Sequence, residues 1–108
     1  MSDYEQLREI KTARFTVRLR AHPEYQDPID TIAWDDPSAE HTYAQTIYSG
    51  ACPWFVLGAH VFAEGVEIGS SYLGCVDTYD LRSVGVRDVV HEAIEEARQT
   101  IARISTLG

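Results

Sequence analysis

Near the C-terminus, Val86, Val89, Val90, Ala93, Ile94, Ala97, Ile101 and Ile104 recur every three or four positions. Arg87, Asp88, Glu92, Glu95, Arg98, Gln99 and Arg103 occupy the other side. That period defines one face of an amphipathic helix of about 20 residues. Such a helix owes most of its stability to packing, so its apolar face must lie against a second layer. At roughly 25 cal/mol per Å² of apolar surface buried, this stripe is the main source of stability in the chain.

The second layer is legible upstream. Trp54 to Phe62 is apolar on both alternating faces, which predicts a central strand covered on each side. Ala63-Glu64-Gly65 is a tight turn, and Val66 to Gly74 returns as the partner strand of a hairpin. Phe15, Val17, Leu19 and Ala21 alternate with Thr16, Arg18, Arg20 and His22. Period two predicts a strand from about Thr12 to Ala21 with one wet face, ended by His22-Pro23. The small residues of Gly69-Ser70-Ser71 mark a place where a helix or another backbone approaches closely.

Two shorter helices are expected. Ser2 or Asp3 can cap one through Ile10, with Leu7 and Ile10 on one side. Asp36-Pro37 starts another, which runs to Tyr48 or Ser49 and stops at Gly50. Pro23 to Asp36 reads as loop with one helical turn near Ile29–Ala33. The expected fold is therefore α+β. A small antiparallel sheet of about three strands carries a long C-terminal helix on one face, with shorter helices before and between strands. The 108 residues form one domain, 1–108.

Composition narrows the function classes. Hydrophobic residues make up 44% of the chain, which excludes an acidic disordered tail. No apolar stretch approaches the roughly 20 residues that span a bilayer, and the N-terminus is polar and acidic. Two cysteines are too few for a disulfide scaffold. A cytoplasmic location is expected, with no membrane association.

Charge is unevenly spread. From Ala21 to Leu81 there is no Lys or Arg, while Glu24, Asp27, Asp30, Asp35, Asp36, Glu40, Glu64, Glu67, Asp77 and Asp80 fall in that stretch. The flanks are weakly positive and neutral, so the net charge of −8 arises in the middle. A one-signed field recruits a partner of opposite sign; the plainer alternative is a solvated acidic surface that aids solubility. Direct nucleic-acid binding is not expected of so acidic a chain.

Catalytic and metal motifs are missing. His22, His41, His60 and His91 are scattered, without the short ligand spacings of zinc sites. His91-Glu92 begins a metal-helix pattern whose second histidine is absent. Cys52 and Cys75 would face each other at the open end of the hairpin, as reduced thiols or as a redox or metal pair. No P-loop, Gly-x-Ser-x-Gly or Gly-x-Gly-x-x-Gly occurs, and no nucleophile–base–oxyanion set can be assembled. The expectation is a protein that is not an enzyme, with no catalytic residues, metal or cofactor. The aromatic residues Trp34, Trp54, Tyr43, Tyr48, Tyr72 and Tyr79 either seal core edges or serve an interface.

Trp54-Phe55 through Val61, the strand segment Gly69-Ser70-Ser71-Tyr72-Leu73-Gly74-Cys75, Arg87-Asp88-Val89-Val90 and Ala93-Ile94-Glu95-Glu96-Ala97-Arg98 together resemble small proteins of phages and mobile elements. The likeness covers most of Glu9 to Ile104. Its motifs are structural, and the pattern often continues with a second cysteine or glycine where Val76-Asp77 stand here. The resemblance implies an anti-defence protein of the anti-CRISPR or anti-restriction type. Such a protein would bind a type I, Cascade-like effector or another defence nuclease and block its nucleic-acid channel. The expected contact residues are Glu24, Asp27, Asp30, Asp35, Asp36, Glu40, Asp77 and Asp80, with Trp34 or Tyr43 as apolar anchor. The alternatives are a binder of a small nucleotide signal, and a phage housekeeping or interaction protein, such as a homodimer, without an anti-defence role.

Overall fold

The computed structural model describes residues 4–27 and 37–107, apart from the side chains of Pro37, Ser38, Glu40 and Leu107. The element order is β1 (Glu5–Lys11), β2 (Thr16–Pro23), α1 (Pro37–Tyr48), β3 (Phe55–Ala63), β4 (Val66–Val76) and α2 (Val84–Leu107). The strands form one antiparallel sheet in the order β1-β2-β3-β4, and α2 packs on it. No helix of the described residues is long and apolar enough to cross a membrane.

The sheet has four strands where about three were expected, because Glu5–Lys11 is a strand and not a short helix. Leu7 and Ile10 stand three apart, the spacing of a helical face. A β-bulge between Gln6 and Arg8 produces the same spacing in extended chain. Gln6 pairs with Arg20 and Arg8 with Leu19, so Leu7 is the extra residue. Leu7 and Ile10 both pack against the core. The β1–β2 turn is closed by Thr12, whose amide N–H donates to the Phe15 carbonyl (2.8 Å) and whose Oγ1 accepts the Phe15 N–H (3.0 Å). That turn moves the start of β2 from the expected Thr12 to Thr16.

The hairpin stands as expected. Ala63 pairs with Val66 across Glu64-Gly65, whose φ angles are 52° and 80°. Two consecutive positive φ angles are those of a type I′ turn, whose twist matches that of the strands it joins. Helix α1 spans the expected segment, and the amides of Ser49 and Gly50 close it on the carbonyls of Gln45 and Ile47. The expected turn near Ile29–Ala33 lies outside the described residues.

One face of the sheet is the core. Val17, Leu19, Leu57, Ala59 and Val61 are buried beneath Val86, Val89, Ala93 and Ala97, with Val90, Ile94 and Ile101 at the margins. Ser83 caps α2, its Oγ accepting the Val86 amide at 3.3 Å. The helix backbone comes close to the sheet at Gly69. A Cβ added there would lie 2.5 Å from the Ala93 carbonyl oxygen and 2.7 Å from the Ala97 nitrogen. The small residues of β4 thus serve the backbone approach expected of them.

Candidate functional site

Two groupings of polar side chains stand outside the core. The first is at the end of the sheet where β2 finishes, β3 begins and β4 finishes. Glu24 follows β2 directly. Its Oε2 accepts the Cys75 amide (2.7 Å) and its Oε1 the Gln26 amide (2.9 Å). These backbone bonds, that from Gln26 foremost, hold its carboxyl below the ordinary carboxylate range. The Tyr48 hydroxyl donates to Asp27, and the Tyr43 hydroxyl to Asp77. Burial first, and then the Asp77 carboxylate, push the Tyr43 phenol far upward. The Trp54 indole N–H donates to the Gln26 carbonyl at 2.9 Å, fastening the same segment to the start of β3. Phenol and amide donors are neutral, so these bonds orient the carboxylates without cancelling their charge.

The expected contact residues are therefore unequal. Glu24, Asp27 and Asp77 gather at this end, each engaged in a bond that ties the chain together. Tyr43, expected as an apolar anchor, is half-buried with its hydroxyl on Asp77. Asp80 is exposed and paired with Arg82, Oδ1 to Nε 2.9 Å. Asp30, Trp34, Asp35 and Asp36, and the side chain of Glu40, lie outside the described residues.

Neither cysteine is in a disulfide, and the strand ladder does not place the two opposite each other at the end of the hairpin. Phe55, not Cys52, stands opposite the strand end, paired with Val76. The ladder shifts register between Phe55 and Leu57, and Cys75 takes a φ of 54°. The Cys52 thiol instead donates to the Asp77 carbonyl (3.3 Å), and the Cys75 thiol to Gln26 Oε1 (3.4 Å). Burial, with the Asp77 charge behind it, raises the Cys52 thiol above its ordinary value.

The second grouping was invisible to motif spacing. It lies on the sheet face opposite α2. Gly58 pairs with Arg20 on one side and Tyr72 on the other, and His22 and His60 lean over it from either end. Their Nε2 atoms are 2.9 Å apart. His60 is 4% exposed, and its Nδ1 contacts the Glu67 carboxylate. A carboxylate only accepts, so His60 Nδ1 carries the proton. In neutral His60, Nε2 is then the acceptor and His22 the donor. Tyr72 meets both rings edge-on, at centroid distances of 5.8 and 5.5 Å. Burial lowers the basicity of His22, aided by His60 and Arg20 and opposed by Glu67.

These histidines are 38 residues apart, and only strand register joins them. The available signal was the alternation that put His22 on the wet face of its strand and His60 on the second face of a strand expected to be covered on both sides. Among the described residues, no three His, Cys, Asp or Glu side chains cluster in a way that could hold a metal ion. No family model, curated protein or solved structure matches the chain.

Proposed function

We propose that the protein works by binding, not by turnover, and that its acidic end docks on a basic surface of a partner that handles nucleic acid. The observation that carries this reading is the 61-residue stretch without Lys or Arg. Its carboxylates Glu24, Asp27 and Asp77 converge where three strands end. Bonds from neutral donors hold them in fixed positions, so less conformational freedom is lost on docking. The specific form of the proposal is an inhibitor of a defence nuclease of the Cascade type. A positively charged guide–target channel attracts such a surface.

The test is whether the purified protein blocks target-DNA binding by a purified Cascade-type complex at two salt concentrations. The Debye length falls from about 8 Å at 0.15 M to about 3 Å at 1 M, so inhibition should weaken between them. Asp27→Asn combined with Asp30→Asn, Asp35→Asn and Asp36→Asn should slow association strongly. Glu95→Gln with Glu96→Gln, on the charge-balanced C-terminal helix, should change little. Failure to bind any such complex removes the nuclease reading. Binding that survives the four-residue neutralisation moves the interface elsewhere.

A further inference from the structure

We propose that the groove between β1 and the start of α2 binds a small organic anion with an apolar body, a carboxylate carrying a short acyl chain. The groove holds about 290 Å³. That is close to the lower end of small-molecule pockets, about 300 Å³. Its floor is apolar: Ile10 from β1, Leu81 from the segment before α2, and Val86 and Val90 from the helix. Its rim is Arg8, Arg82, Arg87 and His91, and among the described residues no Asp or Glu lines it. Three of the nine Lys and Arg residues thus meet at one apolar groove, in a chain whose net charge is −8. Cations of one sign around an apolar floor favour a ligand with a negative head and an apolar body.

The fold aims the cations there. Gln6 pairs with Arg20 and so shares the open face of the sheet. Plain alternation would send Arg8 to that same face. The bulge at Leu7 sets Arg8 opposite Leu19 instead, on the face that α2 covers. Its neighbour Glu9 stays on the open face, bonded to Arg18 Nε at 3.1 Å. Arg87 and His91 stand four apart on α2, one above the other along the groove. Arg82 is engaged by Asp80, Nε to Oδ1 2.9 Å. The side chains of Arg8 and Arg87 form no ion pair with any described residue, so these two are the anchors. A guanidinium can take both oxygens of one carboxylate. The first turn of α2 carries no acid, so the positive end of its dipole also favours the anion. The volume equals that of about ten waters at about 30 Å³ each, which suits an acyl chain of about eight carbons.

The test is calorimetric titration with sodium octanoate, run beside octylamine, sodium acetate and phosphatidylglycerol vesicles, with a melting curve for each. The expected result is one octanoate per chain and a higher melting temperature. Octylammonium lacks the negative head and acetate the apolar body, so neither should bind. Arg8 and Arg87 are exposed, so Arg8→Gln and Arg87→Gln should fold as wild type does. Each should weaken octanoate binding about 10–100-fold, the loss of one charged hydrogen-bond partner. Arg103→Gln removes the same charge from the far end of α2 and should change nothing. Absence of saturable octanoate binding overturns the site. So does equal binding of octylammonium, or undiminished binding in Arg8→Gln/Arg87→Gln. Binding to vesicles without binding to octanoate also overturns it, in favour of a membrane surface. The readout involves no nuclease, so it is independent of the acidic-end proposal.

Discussion

Gly69→Ala is the sharpest test of how the helix sits on the sheet. On backbone preference alone it should stabilise: alanine restricts the unfolded chain more than glycine, and glycine inside a strand costs about 0.5–1 kcal/mol. The structure reverses the sign. The new Cβ would meet the Ala93 oxygen at 2.5 Å and the Ala97 nitrogen at 2.7 Å, where ordinary contact begins at 3.4 Å. Both obstacles are backbone, so no rotamer change relieves them. Helix α2 must lift by about 0.9 Å, loosening Val89, Ala93 and Ala97 from Leu57, Ala59 and Val61. Overpacking of this kind costs about 1–3 kcal/mol. In a domain of this size that is a fall in melting temperature of about 4 °C or more for each kcal/mol. The internal control is Gly85→Ala in the first turn of α2. There the nearest atom is a flexible Leu73 methyl at 3.2 Å, and a better helix former should stabilise by up to about 1 kcal/mol. Chemical denaturation of the two variants should give opposite signs. A Gly69→Ala protein as stable as wild type would refute the close approach.

Three further outcomes follow from single side chains. Leu57→Ala empties a site with 0% exposure and should cost about 2–5 kcal/mol in a urea titration, with the slope unchanged. Glu24→Gln weakens the bonds to the Gln26 and Cys75 amides. Because the folded carboxyl lies below its ordinary 4.5, the wild-type advantage should be complete above that pH and disappear as acid titrates the folded group; equal acid limbs would refute it. Cys52 should react slowly with iodoacetamide near neutral pH because its thiol stays protonated, and Asp77→Asn should speed the reaction; labelling at the rate of a free model thiol would contradict the assignment.

Most of the fold was legible because its main elements have unmixed periods. The three-to-four repeat of α2, the alternation of β2 and the Glu64-Gly65 turn each admit one reading. β1 was misread because a bulge converts period two into period three over Leu7–Ile10, and seven residues are too few to average it out. The cysteine register was missed for a related reason: a shift at the start of β3, between Phe55 and Leu57, displaces every partner beyond it. Strand alternation placed His22 on the wet face of its strand and His60 on the second face of a strand expected to be covered on both sides. Their meeting depends on two strand registers and on the absence of a side chain at Gly58, which no local pattern encodes.

The uncovered face raises the question of what keeps it from associating. No helix of the described residues packs across it, yet His60 is 4% exposed. The face is covered by its own long side chains. The Arg20 guanidinium lies 4.1 Å from the Tyr4 ring centroid and 5.4 Å from that of Phe62, and Arg18 lies 4.7 Å from Phe62. These cation–π contacts lay charged groups over the aromatic surface, so the apolar area is partly masked. Arg20 Nε is buried there without a hydrogen bond, a cost of about 1–3 kcal/mol that the ring contacts help to offset. The sheet edges are guarded too. β1 carries Glu5, Arg8, Glu9 and Lys11 along with its bulge, and the β3–β4 ladder is irregular toward both ends. Charged and bulged edges resist pairing with a second sheet. Self-association through strands or through the open face therefore has to displace structure already in place.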